Sequence, residues 1–176
     1  KFGGLKFLEA AHIKDVLAVL RWAQNIRDRV AGFRVAQLLP GIGPGSAARL
    51  FDRMAECTNP IDALNGFRPP AATAEHWQEF GATIGMLRRN AAGWPAELDL
   101  VCRWYRPHLE RIHEDAALRD ADLVQLTQIA ASYPSRERFL TELTLDPPDA
   151  TSDEAGVPLL DEDYLILSTI HSAKGQ

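Results

Sequence analysis

Three stretches of the chain carry residue types at spacings that chemistry can use. The first is "PGIGPG", Pro40 to Gly45, where three glycines and two prolines fall within six residues and an amphipathic run follows. Glycines permit backbone angles closed to other residues and leave amide N–H groups unobstructed. Such N–H groups, at the positive end of the next helix, suit a phosphate oxygen. Ile42, between two glycines, is expected to plug into the core and hold the loop rigid. Around it stand Arg21, Arg27, Arg29, Arg34, Arg49 and Arg53 against Asp28 and Asp52, a basic stretch within an acidic chain. A tight αα-corner with no ligand is the plain alternative.

The second stretch is "LSTIHSAKGQ", Leu167 to Gln176, in which Thr, His, Ser and Lys follow an apolar run. Polar groups at the carboxyl edge of a sheet are where α/β proteins bind ligands. A polar turn after a strand is the simpler reading of the same residues. The third is a pair of Glu-x-x-His spacings, Glu9/His12 and Glu110/His113, the pattern by which ferritin-like bundles hold two iron ions. Such a site also needs a glutamate from each of two further helices. The candidates Glu75 or Glu79 and Glu142 come in the wrong alternation, so solvated or salt-bridged side chains are the better account.

Other chemistries find less. No G-x-x-x-x-G-K-[ST] sequence occurs, so the chain itself has no phosphate-cradling ATPase loop and is not expected to hydrolyse ATP. His108 and His113 are five apart and do not share a helix face. Trp22, Trp77, Trp94 and Trp104 are possible stacking platforms for single-stranded bases, but Trp77 falls in an apolar stripe and reads as core. Cys57 and Cys102 lack metal-type spacing and read as reduced thiols of a cytoplasmic protein.

The elements that must position these residues are mostly helical. Ile13, Val16, Leu17, Leu20, Ala23 and Ile26 recur at threes and fours, predicting one long helix from Leu8 to Val30. Gly32 is expected to interrupt. Val35, Leu38 and Leu39 then form a short helix that Pro40 and Gly41 end. Ala47, Leu50, Phe51 and Met54 mark the next helix, and "CTNP" and "NGFRPPAAT" read as loops. Thr73 is placed to N-cap a helix bearing Trp77, Phe80, Ile84 and Leu87. Leu98 to Ile112 keeps helical register after Pro95, with Pro107 expected to kink or split it. Helices over 118–132 and around Phe139, Leu140 and Leu143 complete the body.

Residues 146–163, rich in proline and acid, read as a solvated linker. "YLILSTI", Tyr164 to Ile170, reads as a buried strand whose sheet partners lie elsewhere. The fold class is therefore all-α with a C-terminal strand stub from a neighbouring α/β domain. The absence of an initial Met and the abrupt end at Gln176 fit an excised piece. Net charge is −5, with 19 Lys and Arg against 24 Asp and Glu, so any nucleic-acid contact must come from a local patch. No 18-residue apolar run is present, and no membrane partner is expected.

Together these stretches resemble a known family. "LSTIHSAKG" is similar to motif V of superfamily 1 DNA helicases of the UvrD/Rep/PcrA type. "KFGGLKFLEAAHIKDVLAVLR" is similar to the segment by which those enzymes leave their RecA-like 2A domain and enter the inserted helical 2B domain. "LLPGIGPGSAARL" resembles the duplex-contacting loop of 2B. The three occur in the family's order and nearly span the chain. The resemblance implies 2A remnants over 1–8 and 164–176 around a 2B domain over 9–163 with a helix-hairpin-helix motif.

It further implies that Gly41, Ile42, Gly43, Gly45, Ser46 and Arg49 contact duplex phosphates, and that Thr169 and His171 lie near single-stranded DNA. Lys174 and Gly175 continue motif V. Where the commoner pattern has Leu, this chain has Gln176. The implied partners are double-stranded DNA, the single-strand/duplex junction and the helicase domains 1A, 1B and 2A. ATP and Mg²⁺ belong to the parent helicase, with no cofactor in the chain itself. A helical protein-interaction module that binds no DNA is the rival reading, and a ferritin-like di-iron bundle a distant third.

Overall fold

Apolar spacings of three and four residues dictate helices that share one core, and that is the architecture found. The computed structural model of the protein describes residues 4–145. Its first half comprises α1 (Gly4–Glu9), α2 (Ala11–Gln24), α3 (Arg29–Ala36), α4 (Pro44–Glu56) and α5 (Pro60–Asn65). A 3-10 turn (Ala71–Thr73) leads into α6 (Ala74–Arg88), followed by α7 (Ala96–Ile112), α8 (Ala116–Ala130) and α9 (Arg136–Leu145). No strand occurs among the described residues, which are all-α. The linker over 146–163 and the strand over 164–170 lie outside them.

α2 is the hub. Its residues from Ile13 to Ala23, Arg21 and the solvent-facing Lys14 apart, are buried, and it packs on α1, α3, α6, α7, α8 and α9. A helix buried on nearly all sides must be apolar on nearly all sides, which "IKDVLAVLRWA" satisfies except at Lys14, Asp15 and Arg21. Each fully buried Val, Leu or Ile contributes about 1.5–3 kcal/mol of transfer free energy. Trp22 anchors the centre, stacked on Phe80 with centroids 5.7 Å apart and edge-on to Phe51 at 5.7 Å.

Buried polar groups tie distant helices to this hub. Asp15 accepts from Arg34 Nε of α3 at 2.6 Å and from the Tyr105 hydroxyl of α7 at 2.6 Å. Glu97 at the start of α7 pairs with Arg136 of α9 at 3.1 Å. A buried carboxylate is tolerated only when its charge is met in this way.

Several boundaries differ from the sequence reading for physical reasons. The single helix expected from Leu8 to Val30 is three pieces, broken at Ala10 and again over 25–28, where the Asp28 carboxylate accepts from the Ala31 N–H and caps α3. Gly32 does not interrupt a helix; it lies inside α3, where an added Cβ would stand 2.5 Å from Phe51 and from Trp22 Nε1. The glycine lets α3 approach the aromatic core. Between the two expected loops an extra helix, α5, is started by Asn59 as N-cap and Pro60 at its first position. Pro107 does not split α7, which runs as one helix from Ala96 to Ile112. Pro107 and Arg103 are both exposed, so the carbonyl that loses its hydrogen bond faces water.

Candidate nucleic-acid interface

The glycine stretch becomes a turn between two helices. The Ile42 N–H donates to Leu39 O at 3.2 Å, closing a four-residue turn with Pro40 and Gly41 at its centre. Gly41 has φ +79, and proline followed by a positive-φ glycine is the signature of a type II turn. An L side chain there would be strained, and its Cβ would also press on Ala72 and Thr73 at 3.3 Å. Ile42 is buried, as expected, 5% exposed. Gly43 then takes extended angles (φ −90, ψ 178) as N-cap of α4, and Pro44 opens that helix.

This arrangement leaves donors unmatched. A helix begins with N–H groups that have no intrahelical acceptor, and α4 has no side-chain cap. Pro44 has no N–H, so the orphans are those of Gly45 and Ser46. Together with the N–H groups of Gly41 and Gly43 they have no acceptor among the described residues. Gly41, Gly43 and Gly45 are exposed and Ser46 is half-buried. One turn along α4, Arg49 Nη2 donates to Ser46 Oγ at 3.0 Å and meets no carboxylate among the described residues. Its charge thus stands beside the free amides.

Two side chains from remote helices hold the turn from behind. The Thr73 hydroxyl donates to Pro40 O at 2.5 Å, and the Arg111 guanidinium donates to Leu38 O. Thr73 is not the side-chain cap of α6 that its position promised; its hydroxyl goes to the turn instead. Neither partner was legible in sequence, because 33 and 73 residues separate the bonded groups.

The basic surround is thinner than a count of arginines implies. Arg29 pairs with Asp52 at 2.8 Å and Arg34 with Asp15 at 2.6 Å. Arg27 and Arg53 donate to the backbone carbonyls of Thr58 and Gly66. Asp15 reaches Arg34 from another helix, 19 residues away in sequence. Thr169, His171, Lys174 and Gly175 lie outside the described residues.

The other candidate chemistries disperse. Glu9 and His12 fall on separate helices, and Glu110 is exposed while His113 lies just past the end of α7. His12 is buried between Asp122 (2.9 Å from Nε2) and Arg119 (3.0 Å from Nδ1). The guanidinium can only donate, so Nδ1 is the acceptor and the ring is neutral. Burial lowers its pKa, against the raising effect of Asp122. No group of three His, Cys, Asp or Glu among the described residues is placed to hold a metal ion.

His108 packs on Trp104 and His76, and burial, then Arg111 and His76, lower its pKa to about 4. All four tryptophans pack against the core: Trp22 and Trp104 are buried, Trp77 lies on Phe67 and Phe80, and Trp94 on Phe139. A cleft of about 540 Å³ between α7 and α8 mixes Asp99 with Arg103 and Arg106 and converges no set of like groups. No helix among the described residues is long and apolar enough to cross a membrane. Compared with known proteins, the chain matches no family model, and no curated protein matches it with statistical significance.

Proposed function

We propose that the chain is a DNA-contacting, regulatory module, a 2B-type domain of a UvrD-like ATP-dependent 3′-to-5′ DNA helicase, and that the α3–turn–α4 unit is its helix-hairpin-helix. One observation carries the reading. Gly43 and Gly45 have negative or helical φ and nothing within 4 Å of where a Cβ would stand. Packing asks for glycine at neither position; Gly43 is the N-cap, where glycine is accepted, but at Gly45, in the first turn of α4, glycine costs a helix up to about 1 kcal/mol relative to alanine. A bare backbone beside unpaired N–H groups is instead what close approach of a phosphate requires. Arg49 supplies the adjacent charge. ATP, Mg²⁺ and the strand-separating chemistry belong to domains 1A, 1B and 2A of the intact helicase in the cytoplasm.

The test is a fluorescence-anisotropy titration with a duplex bearing a single-stranded tail, at low and physiological salt. A few phosphate contacts on an acidic module give a dissociation constant on the order of 10⁻⁴ to 10⁻⁶ M, weakening as salt rises. Arg49→Ala should weaken binding and flatten the salt dependence by about one phosphate's share. No binding at low salt would defeat the DNA reading and favour a protein-interaction module, for which the paired Arg29 and Arg34 are already partly neutralised.

A further inference from the structure

Thr73 is wholly buried, yet the residue it reaches past, Gly41, is exposed. Its hydroxyl donates to Pro40 O at 2.5 Å. Pro40 and Gly41 are the central pair of the turn, and type I and type II turns differ in how the peptide between that pair is oriented: type II requires positive φ at the second residue, type I a φ near −90°. Gly41 at φ +79 has the type II orientation. A trans peptide points its C=O and N–H in opposite directions. Pinning Pro40 O toward buried Thr73 therefore turns the Gly41 N–H away from α6.

We infer that Thr73 is a positioning residue that locks the Pro40–Gly41 peptide in the type II orientation, so that the Gly41 N–H stands ready as a further phosphate donor beside Gly43, Gly45 and Ser46. The phosphate half of this inference rests on the duplex-contact reading above; the lock does not. A threonine at the start of a helix ordinarily caps that helix, and here it makes no such bond. The hydroxyl serves the turn. Glycine at 41 is the other half of the device, because an L residue resists the positive φ that the locked orientation imposes.

The test uses the chain of residues 1–176 and two readouts. In a type II turn the Pro40 Hα lies against the Gly41 N–H and gives a strong nuclear Overhauser effect; in a type I turn that contact is weak. Wild type and Thr73→Ser, which keeps the hydroxyl, should both show the strong signal, and Thr73→Val should lose it. Duplex affinity by anisotropy should fall about ten- to a hundredfold in Thr73→Val, the scale of one charge-assisted hydrogen bond, and stay within about twofold of wild type in Thr73→Ser. Gly41→Ala should lose a similar factor, and the double variant no more than the worse single one, since both act through one peptide.

A folded Thr73→Val that keeps the strong signal, or a wild type that lacks it, overturns the lock. Where Thr73→Val fails to fold, Thr73→Ala, which removes the hydroxyl and puts nothing in its place, carries the same comparison: loss of the strong signal supports the lock and its retention overturns it. If wild type binds no duplex, the phosphate role falls together with the proposed function, and the signal alone decides the lock.

Discussion

Tyr105 donates its phenolic hydrogen to Asp15 Oδ2 at 2.6 Å, joining the middle of α7 to the central helix across 90 residues of sequence. Asp15 is 5% exposed and its other oxygen accepts from Arg34. The shared carboxylate thus fixes α3, and with it the glycine turn, against α2 and α7. Tyr105→Phe keeps the ring and removes one donor from a buried carboxylate. The expected loss is about 1–3 kcal/mol, read as a lower urea midpoint with an unchanged slope.

Gly32→Ala tests the close approach of α3 to the aromatic core. The added methyl would stand 2.5 Å from Phe51 and Trp22 Nε1, and Trp22 Nε1 already donates to Ile26 O at 3.1 Å. Overpacking of this kind costs about 1–3 kcal/mol. Thermal unfolding should show a lower midpoint, in contrast to an exposed-helix glycine, where alanine stabilises.

The positions that the sequence reading placed well are those governed by local rules. Ile42 in the core and the stripe Ala47, Leu50, Phe51 and Met54 follow from spacing and turn chemistry, and all are buried as expected. What sequence could not give is set by contacts between remote residues. Gly32 looks like a breaker until Phe51 and Trp22 stand over it. Thr73 looks like a cap until Pro40 is beside it, and Arg34 looks like a free cation until Asp15 meets it. Pro107 looks like a break because sequence does not say that the orphaned carbonyl faces water.

Acid should weaken the fold through its neutral buried histidines. His108 has a pKa lowered to about 4 by burial, Arg111 and His76, and that of His12 is lowered too. Below pH 6.5 the unfolded chain therefore binds protons that the folded chain refuses, and stability falls as pH drops from 7 toward 4. For His108 this amounts to about 1–2 kcal/mol between pH 7 and 5. The raised pKa of buried Glu97 acts in the opposite sense, losing stability as pH rises. The difference between wild type and His108→Phe, which keeps a ring against Trp104, isolates the histidine share. His108→Phe should lose less stability than wild type between pH 7 and pH 5.

The two thiols should differ in reactivity. Cys102 is buried, its thiol pKa pushed up to about 11 chiefly by burial, while Cys57 is half-buried. Reaction requires thiolate and access. A thiol-titrating disulfide reagent at pH 8 should modify Cys57 promptly, and Cys102 only at the rate of unfolding; mass spectrometry of the native protein should show one adduct before two.

The central claim is that the bare amides at the start of α4 receive a phosphate, and Gly45→Asp tests it most directly. Nothing lies within 4 Å of the new side chain's first atom, and an acidic residue in a helix's first turn, replacing glycine, should raise stability by about 0.5–1 kcal/mol. The same carboxylate would occupy the anion position and repel a phosphate. Unfolding and anisotropy measured on one preparation should show a more stable protein with at least tenfold weaker duplex binding. A Gly45→Asp protein that is folded and binds the duplex as tightly as wild type would contradict the account.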